Sequence, residues 1–248
     1  ALLRADDVSV VLDLCDAKLP AIAHWGTDLG ELTAADAAAL VSAGVHPIVA
    51  NIVDEPLRLA MLPEHHTGWV GRPGLSGSRG GRAWSPKFVV TAIEADGSSV
   101  ASAGDEPVLI TASRVSVVAA AEKKELVLRL HLELTPSGLL RTRAELANTG
   151  TDDYQLNDLV LAYPVPATAR ELLDLAGRWG RERVPQRREF TVGTHLREGR
   201  KGRTGADAAT VLHAGVPGFS FADGEVWGVH VGWSGNHTHY AERLSTGE

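Results

Sequence analysis

With 248 residues and a net charge of −7, the chain is long enough for one large β domain or two small ones. It is too acidic for its whole surface to hold nucleic acid non-specifically. Hydrophobic residues make up 44% of it, enough for a sizeable core, while 5% aromatics and 26 glycines point to many turns. The one cysteine, Cys15, excludes an internal disulfide; lying in an apolar run, it reads as a small buried hydrophobe and fits a reducing, cytoplasmic compartment. No secretory leader is visible in Ala1-Leu2-Leu3-Arg4-Ala5-Asp6-Asp7, and no apolar run approaches the ~20 residues of a membrane span. The first residue is not Met and the single methionine is Met61, so a processed or trimmed chain is expected.

β signals dominate in chain order. Val8 to Leu14 alternates loosely around Asp13. Thr33 caps a helix, with Asp36 three residues on, an Ala-rich run to Val41, Gly44 as its end and Pro47 forbidding its resumption. Gly68 to Gly81 reads as a long structured loop. Strands are predicted at Lys87 to Glu94, Val108 to Thr111 and Val115 to Ala120. Glu125 to Leu134 is the clearest strand: Leu126, Leu128, Leu130, Leu132 and Leu134 face one way, and Val127, Arg129, His131 and Glu133 the other. After the turn Pro136-Ser137-Gly138, Leu139 to Leu146 completes an antiparallel hairpin. Tyr154 to Tyr163, Glu189 to Val192, Gly218 to Ala222 and Val226 to Trp233 are further strands, and Glu171 to Leu175 is at most one helical turn. A (β/α)₈ barrel needs eight amphipathic helices and this chain offers one, so an all-β sandwich is the expected fold.

Three stretches carry chemistry-bearing residues. In His65-His66-Thr67-Gly68-Trp69-Val70-Gly71-Arg72-Pro73-Gly74, Trp69 offers a flat apolar face for a sugar and Arg72 a forked donor. The alternative is a tryptophan folded back over its own domain. Arg178 to Arg203 holds nine basic residues against Glu182, Glu189 and Glu198; it reads as an interface, a solvated loop or a nucleic-acid patch, the last opposed by the acidic total. Trp233-Ser234-Gly235-Asn236 ends a strand in turn chemistry that also presents Trp233 and Asn236. His65-His66 and His237-Thr238-His239 lack the spacing of zinc motifs. The adjacent carboxylates Asp6-Asp7, Asp54-Glu55 and Asp152-Asp153 sit in turn-like sequence and do not make a catalytic pair for glycoside hydrolysis.

Several collinear segments resemble the N-terminal domain of glycoside hydrolase family 36, the bacterial α-galactosidases. They are Leu19-Pro20 through His24-Trp25-Gly26, Gly71-Arg72-Pro73-Gly74-Leu75-Ser76-Gly77, Leu146-Ala147-Asn148-Thr149-Gly150, Pro164-Val165-Pro166-Ala167, Glu171-Leu172-Leu173 with Gly177-Arg178-Trp179, and Trp233-Ser234-Gly235-Asn236. The resemblance covers nearly the whole chain. It implies a large antiparallel β-supersandwich of the galactose mutarotase-like kind, spanning 1–248 as one domain and short of its last strands at Glu248. It also implies a (β/α)₈ barrel elsewhere that carries both catalytic aspartates of a retaining α-galactosidase, leaving no catalytic residue here. The family's loop that reaches the galactose pocket matches the one with Trp69 and Arg72, which become substrate-binding candidates. Arg178, Trp179, Arg181, Trp233 and Asn236 become interface or pocket-rim candidates. A galactoside substrate and a homo-oligomer are the implied partners, with no cofactor, metal, nucleic acid or membrane. Where many relatives carry a Ser- and His-rich run after Arg200, this chain has Lys201-Gly202-Arg203-Thr204-Gly205-Ala206-Asp207. The competing readings are a free-standing carbohydrate-binding sandwich and an aldose epimerase, for which His131 and Glu133 would have to face one pocket.

Overall fold

The computed structural model describes residues 1–248 apart from 49, 52–53, 102–106, 122–124, 203–204, 208–209 and 248. The chain divides into two compact units, Ala1–Tyr163 and Pro164–Glu248. Named strands pair antiparallel throughout, and the described residues contain one α-helix.

Unit 1 begins with a meander of β1 (Leu2–Ala5), β2 (Val8–Asp13) and β3 (Ala21–Thr27). Helix α1 (Ala34–Ala43) follows. Its Thr33 hydroxyl accepts from the Asp36 N–H at 3.2 Å, and the Asp36 carboxylate accepts from the Thr33 N–H at 2.9 Å, so the two residues close a reciprocal cap. Strand β4 (Leu75–Ser78) comes next, then β5 (Phe88–Ala95), β6 (Ser98–Ser99), β7 (Arg114–Ala121), β8 (Leu126–Leu134) and β9 (Leu140–Asn148), which form a sheet in the order β6-β5-β7-β8-β9. β10 (Gln155–Leu159) returns to pair with β4.

The meander and the five-stranded sheet bury their facing sides together. Leu3, Val10, Leu12 and Ile22 from the meander join Val115, Val117, Ala119 and the five alternating leucines of β8 in one core. Each fully buried leucine contributes about 1.5–3 kcal/mol relative to an exposed one. The outer face of β8 is polar. Glu133 there takes Arg114 at 3.1 Å and Arg141 at 3.4 Å, while His131 meets Ser116 at 3.1 Å and Glu145 at 3.3 Å. His131 and Glu133 are thus spent on cross-strand contacts. Arg79, buried just after β4, ties this sheet to the β10 turn: it donates to the Asn148 side chain at 2.6 Å and to the Asp152 carbonyl.

Unit 2 contains β11 (Glu171–Arg178), β12 (Arg181–Glu189), β13 (Gly193–Gly199), β14 (Val211–Gly215), β15 (Val226–His230) and β16 (His237–Arg243). One sheet runs β12-β11-β14-β15, and β13 pairs with β16 as a separate ribbon. Glu171 to Leu175, expected as a helical turn, is the start of β11: its register against both β12 and β14 puts Leu172 and Asp174 on the buried side. Val108 to Thr111 makes only one bridge, Thr111 with Leu2, and Gly218 to Ala222 runs from a turn into a bend instead of a strand. Cys15 is exposed, contrary to expectation. β2 ends at Asp13, whose carboxylate accepts from the Cys15 N–H at 3.1 Å and from Arg58 at 2.7 Å, which turns the chain outward before Cys15 can enter the core.

Candidate functional site

In unit 1 the segment 63–74 is a compact loop whose ends meet. The Gly74 N–H donates to the Pro63 carbonyl at 2.8 Å, and inside the loop the Thr67 hydroxyl and the Gly68 N–H donate to Glu64 and His65 carbonyls at 2.8 and 3.1 Å. Gly68 turns left-handed at φ 81° to close a short 3₁₀ turn. Gly74 is required by packing, since a Cβ there would stand 2.6 Å from Leu62 Cγ. Glu64 anchors the loop to the sheet. Its Oε1 accepts the Phe88 N–H at 2.9 Å and lies 3.1 Å from His66 Nε2. Burial pushes the Glu64 carboxyl up, against the downward pull of Phe88 and His66.

The two substrate-binding candidates part company here. Trp69 is not presented to solvent: it is 9% exposed, and its buried Nε1 has no hydrogen-bond partner within the described residues. Apolar burial of the large ring outweighs the freedom that its flanking glycines would allow. Arg72 is exposed, as is the neighbouring Val70. Trp84, which sequence reasoning passed over, is the exposed tryptophan beside this loop; its ring meets His65 edge-on at 5.3 Å. Only its place between two small residues, Ala83 and Ser85, with Pro86 beyond, could have signalled it.

Unit 2 holds the remaining candidates. Trp179 and Gly180 turn the β11–β12 hairpin; Trp179 is 90% exposed, with exposed Arg178 and Arg181 beside it. Gly177 permits the tight approach at the hairpin end, where a Cβ would lie 2.5 Å from the Arg181 carbonyl. The basic stretch is therefore mostly β12 and β13, while Arg203 falls outside the described residues. Trp233 is 65% exposed just before the bend Ser234–Asn236, and Asn236 Oδ1 accepts the Gly202 N–H at 3.0 Å, fastening one loop to another. Asn236 thus has a structural task in addition to its exposed position. Sequence reasoning also missed a buried ionic cluster, Asp174 with His195 at 2.8 Å and Arg197 at 3.5 Å, because its members lie on different strands. Among the described residues no group of three His, Cys, Asp or Glu is arranged to hold a metal ion, and no helix is long and apolar enough to cross a membrane.

The sequence profile of the glycosyl hydrolase family 36 N-terminal domain matches residues 18–248. The chain belongs to that family. It is 34% identical over 226 residues to an α-galactosidase of Escherichia coli, covering 91% of this chain and 29% of that protein. The family 36 α-galactosidase AgaA of Geobacillus stearothermophilus superposes with a TM-score of 0.79 at 18% identity, over 100% of this chain and 36% of that one. The α-galactosidase of Lactobacillus brevis superposes at 0.74 with 14% identity, over 100% and 35%. Variants of AgaA have been solved with raffinose and stachyose. This family 36 chain therefore spans about a third of the length of the relatives it matches. The fold it shares with them is the antiparallel β-sandwich described above.

Proposed function

We propose that this chain is the non-catalytic N-terminal part of a retaining α-galactosidase acting on terminal α-galactosides, in which loop 63–74 lends contacts to the substrate pocket and unit 2 lends its exposed Arg178-Trp179-Arg181 hairpin to homo-oligomer assembly. The family match over 18–248 carries this reading. Support for the loop comes from Arg72, exposed on a segment that Glu64 and the Pro63–Gly74 bond hold in shape. A loop backbone already held in shape lowers the ordering cost of binding. The hairpin suits assembly because exposed tryptophan and arginine side chains are enriched in protein interfaces. In this reading the galactoside is met only by the complete enzyme, and Trp69 serves by filling the loop's interior instead of stacking on sugar.

The test is Arg72→Ala in the complete enzyme. One charged hydrogen bond is worth about 1.5–3 kcal/mol, so kcat/KM should fall roughly tenfold to a hundredfold with the thermal midpoint unchanged. Wild-type kinetics in that variant would leave the loop a purely structural element.

A further inference from the structure

The core of unit 2 has two unlike ends. At one end Ala169, Leu172, Phe190 and Ala214 pack with Ala241. Two residues along each strand the filling becomes ionic. Asp174 follows Leu172 on β11, and His239 precedes Ala241 on β16. His195 and Arg197 stand opposite Ala241 and His239 on β13. Asp174 is 2% exposed and His239 7% exposed. One carboxylate oxygen, Asp174 Oδ2, serves both His195 Nε2 at 2.8 Å and Arg197 Nη1 at 3.5 Å, and Arg197 reaches Asp207 at 3.6 Å. Asp174 Oδ1 and both ring nitrogens of His239 are buried with no hydrogen-bond partner among the described residues. The ladder of β13 and β16 runs only between those two strands, so side chains must hold the ribbon to the four-stranded sheet.

We propose that the β13–β16 ribbon is an acid-released flap: protonation of buried His239 adds a cation beside Arg197, whose partners Asp174 and Asp207 are already engaged by it, and the ribbon leaves the sheet. The groups that face His239 are His237 on its own strand, with ring centroids 6.4 Å apart, His195 and Arg197 on β13, and Asp174 on β11. From the other strands Gln186 of β12 and Leu212 of β14 oppose Asp174, and neither is charged. His213 of β14 pairs with Leu173, one residue out of phase, and its ring lies 3.3 Å from the Leu173 carbonyl on the opposite face. Val229, the β15 partner of Leu212, is likewise uncharged.

Burial, reinforced by His237 and Arg197, pushes His239 down to about 4 from 6.5. A histidine lowered in the docked state favours docking fully above its unfolded value. That preference drains away as pH falls from about 6.5 towards 4. With one proton involved, the undocking equilibrium should rise on the order of 100-fold between pH 7.0 and 4.5. Undocking would also move the Trp233–Asn236 bend, because the His237 ring lies 3.2 Å from the Gly235 carbonyl at the start of β16.

Amide hydrogen exchange on the 248-residue chain, corrected for intrinsic rates, reads this out by NMR. Protection in 193–199 and 237–243 should drop about 100-fold between pH 7.0 and 4.5 while 126–134 on β8 keeps its protection. In His239→Gln the ribbon's protection should become flat with pH. If that variant fails to fold, the C2–H titration of His239 in the wild-type chain decides, with a midpoint well below 6 expected. Ribbon protection that follows β8 at every pH, a pH response surviving His239→Gln, or a His239 ring titrating near 6.5 would each overturn the proposal.

Discussion

Leu130 faces Val117 across the ladder and is almost fully buried, with Leu128 and Leu132 on either side of it. Leu130→Asp would put an unpaired charge among these side chains, a class of change that costs more than about 4 kcal/mol. For a chain of this size that amounts to a loss of roughly 10 °C or more in thermal midpoint, or failure to fold. Arg129→Ala, one residue away on the exposed face, serves as the control and should shift the midpoint by no more than a degree or two. Equal shifts in the two variants would mean that the register of β8 is wrong. Single residues were legible in the sequence where burial follows from period alone, as for the five leucines. They were illegible where a side chain's direction depends on a distant partner. The glycines around Trp69 gave no sign that its ring would fold inward, and Cys15 is turned out of the core by Asp13 and by Arg58, more than forty residues away.

Elements were legible in proportion to how local their causes are. Helix α1 is set by its own sequence: Thr33 and Asp36 cap it, Gly44 ends it, and Ala37 is its one buried residue. Because so little of it packs, the cap carries an unusual share of its stability. Thr33→Ala should cost the helix about 1 kcal/mol and speed exchange of the amides of 37–44 by roughly fivefold, with the global midpoint nearly unmoved. Unchanged exchange there would show that packing, not capping, holds α1. The β8–β9 hairpin was equally legible, since alternation and the Pro136-Ser137-Gly138 turn agree, and Leu134 pairs with Leu140 as that turn requires. β11 was not, because Leu172, Leu173 and Leu175 fit a helical stripe as well as a strand; pairing on both sides with β12 and β14 decides it. β12 hid for another reason. It is an edge strand, mostly exposed on both faces, and its interior Pro185 is tolerable only at an edge.

At the scale of the whole molecule, each unit is closed around its own core, and among the described residues each buries a single carboxyl, Glu64 in one and Asp174 in the other. Both are already engaged: Glu64 by the Phe88 N–H and His66, Asp174 by His195 and Arg197. Retaining hydrolysis of a glycoside requires two carboxyl groups about 5–5.5 Å apart, one raised to act as acid and one ionised as nucleophile. The adjacent pairs Asp6-Asp7 and Asp152-Asp153 lie exposed. Asp6 borders an open cleft with Asp96 and Glu133, but Asp96 is engaged by the Ser113 and Arg114 N–H groups at 3.1 and 2.9 Å, and Glu133 by Arg114 and Arg141 at 3.1 and 3.4 Å. The 248-residue chain alone should therefore hydrolyse no α-galactoside. Incubation of the purified chain with a chromogenic α-galactoside should give the rate of a heat-killed control. Turnover above that control, abolished by Glu64→Gln or Asp174→Asn, would locate catalytic chemistry in this sandwich and end the reading of it as a supporting domain.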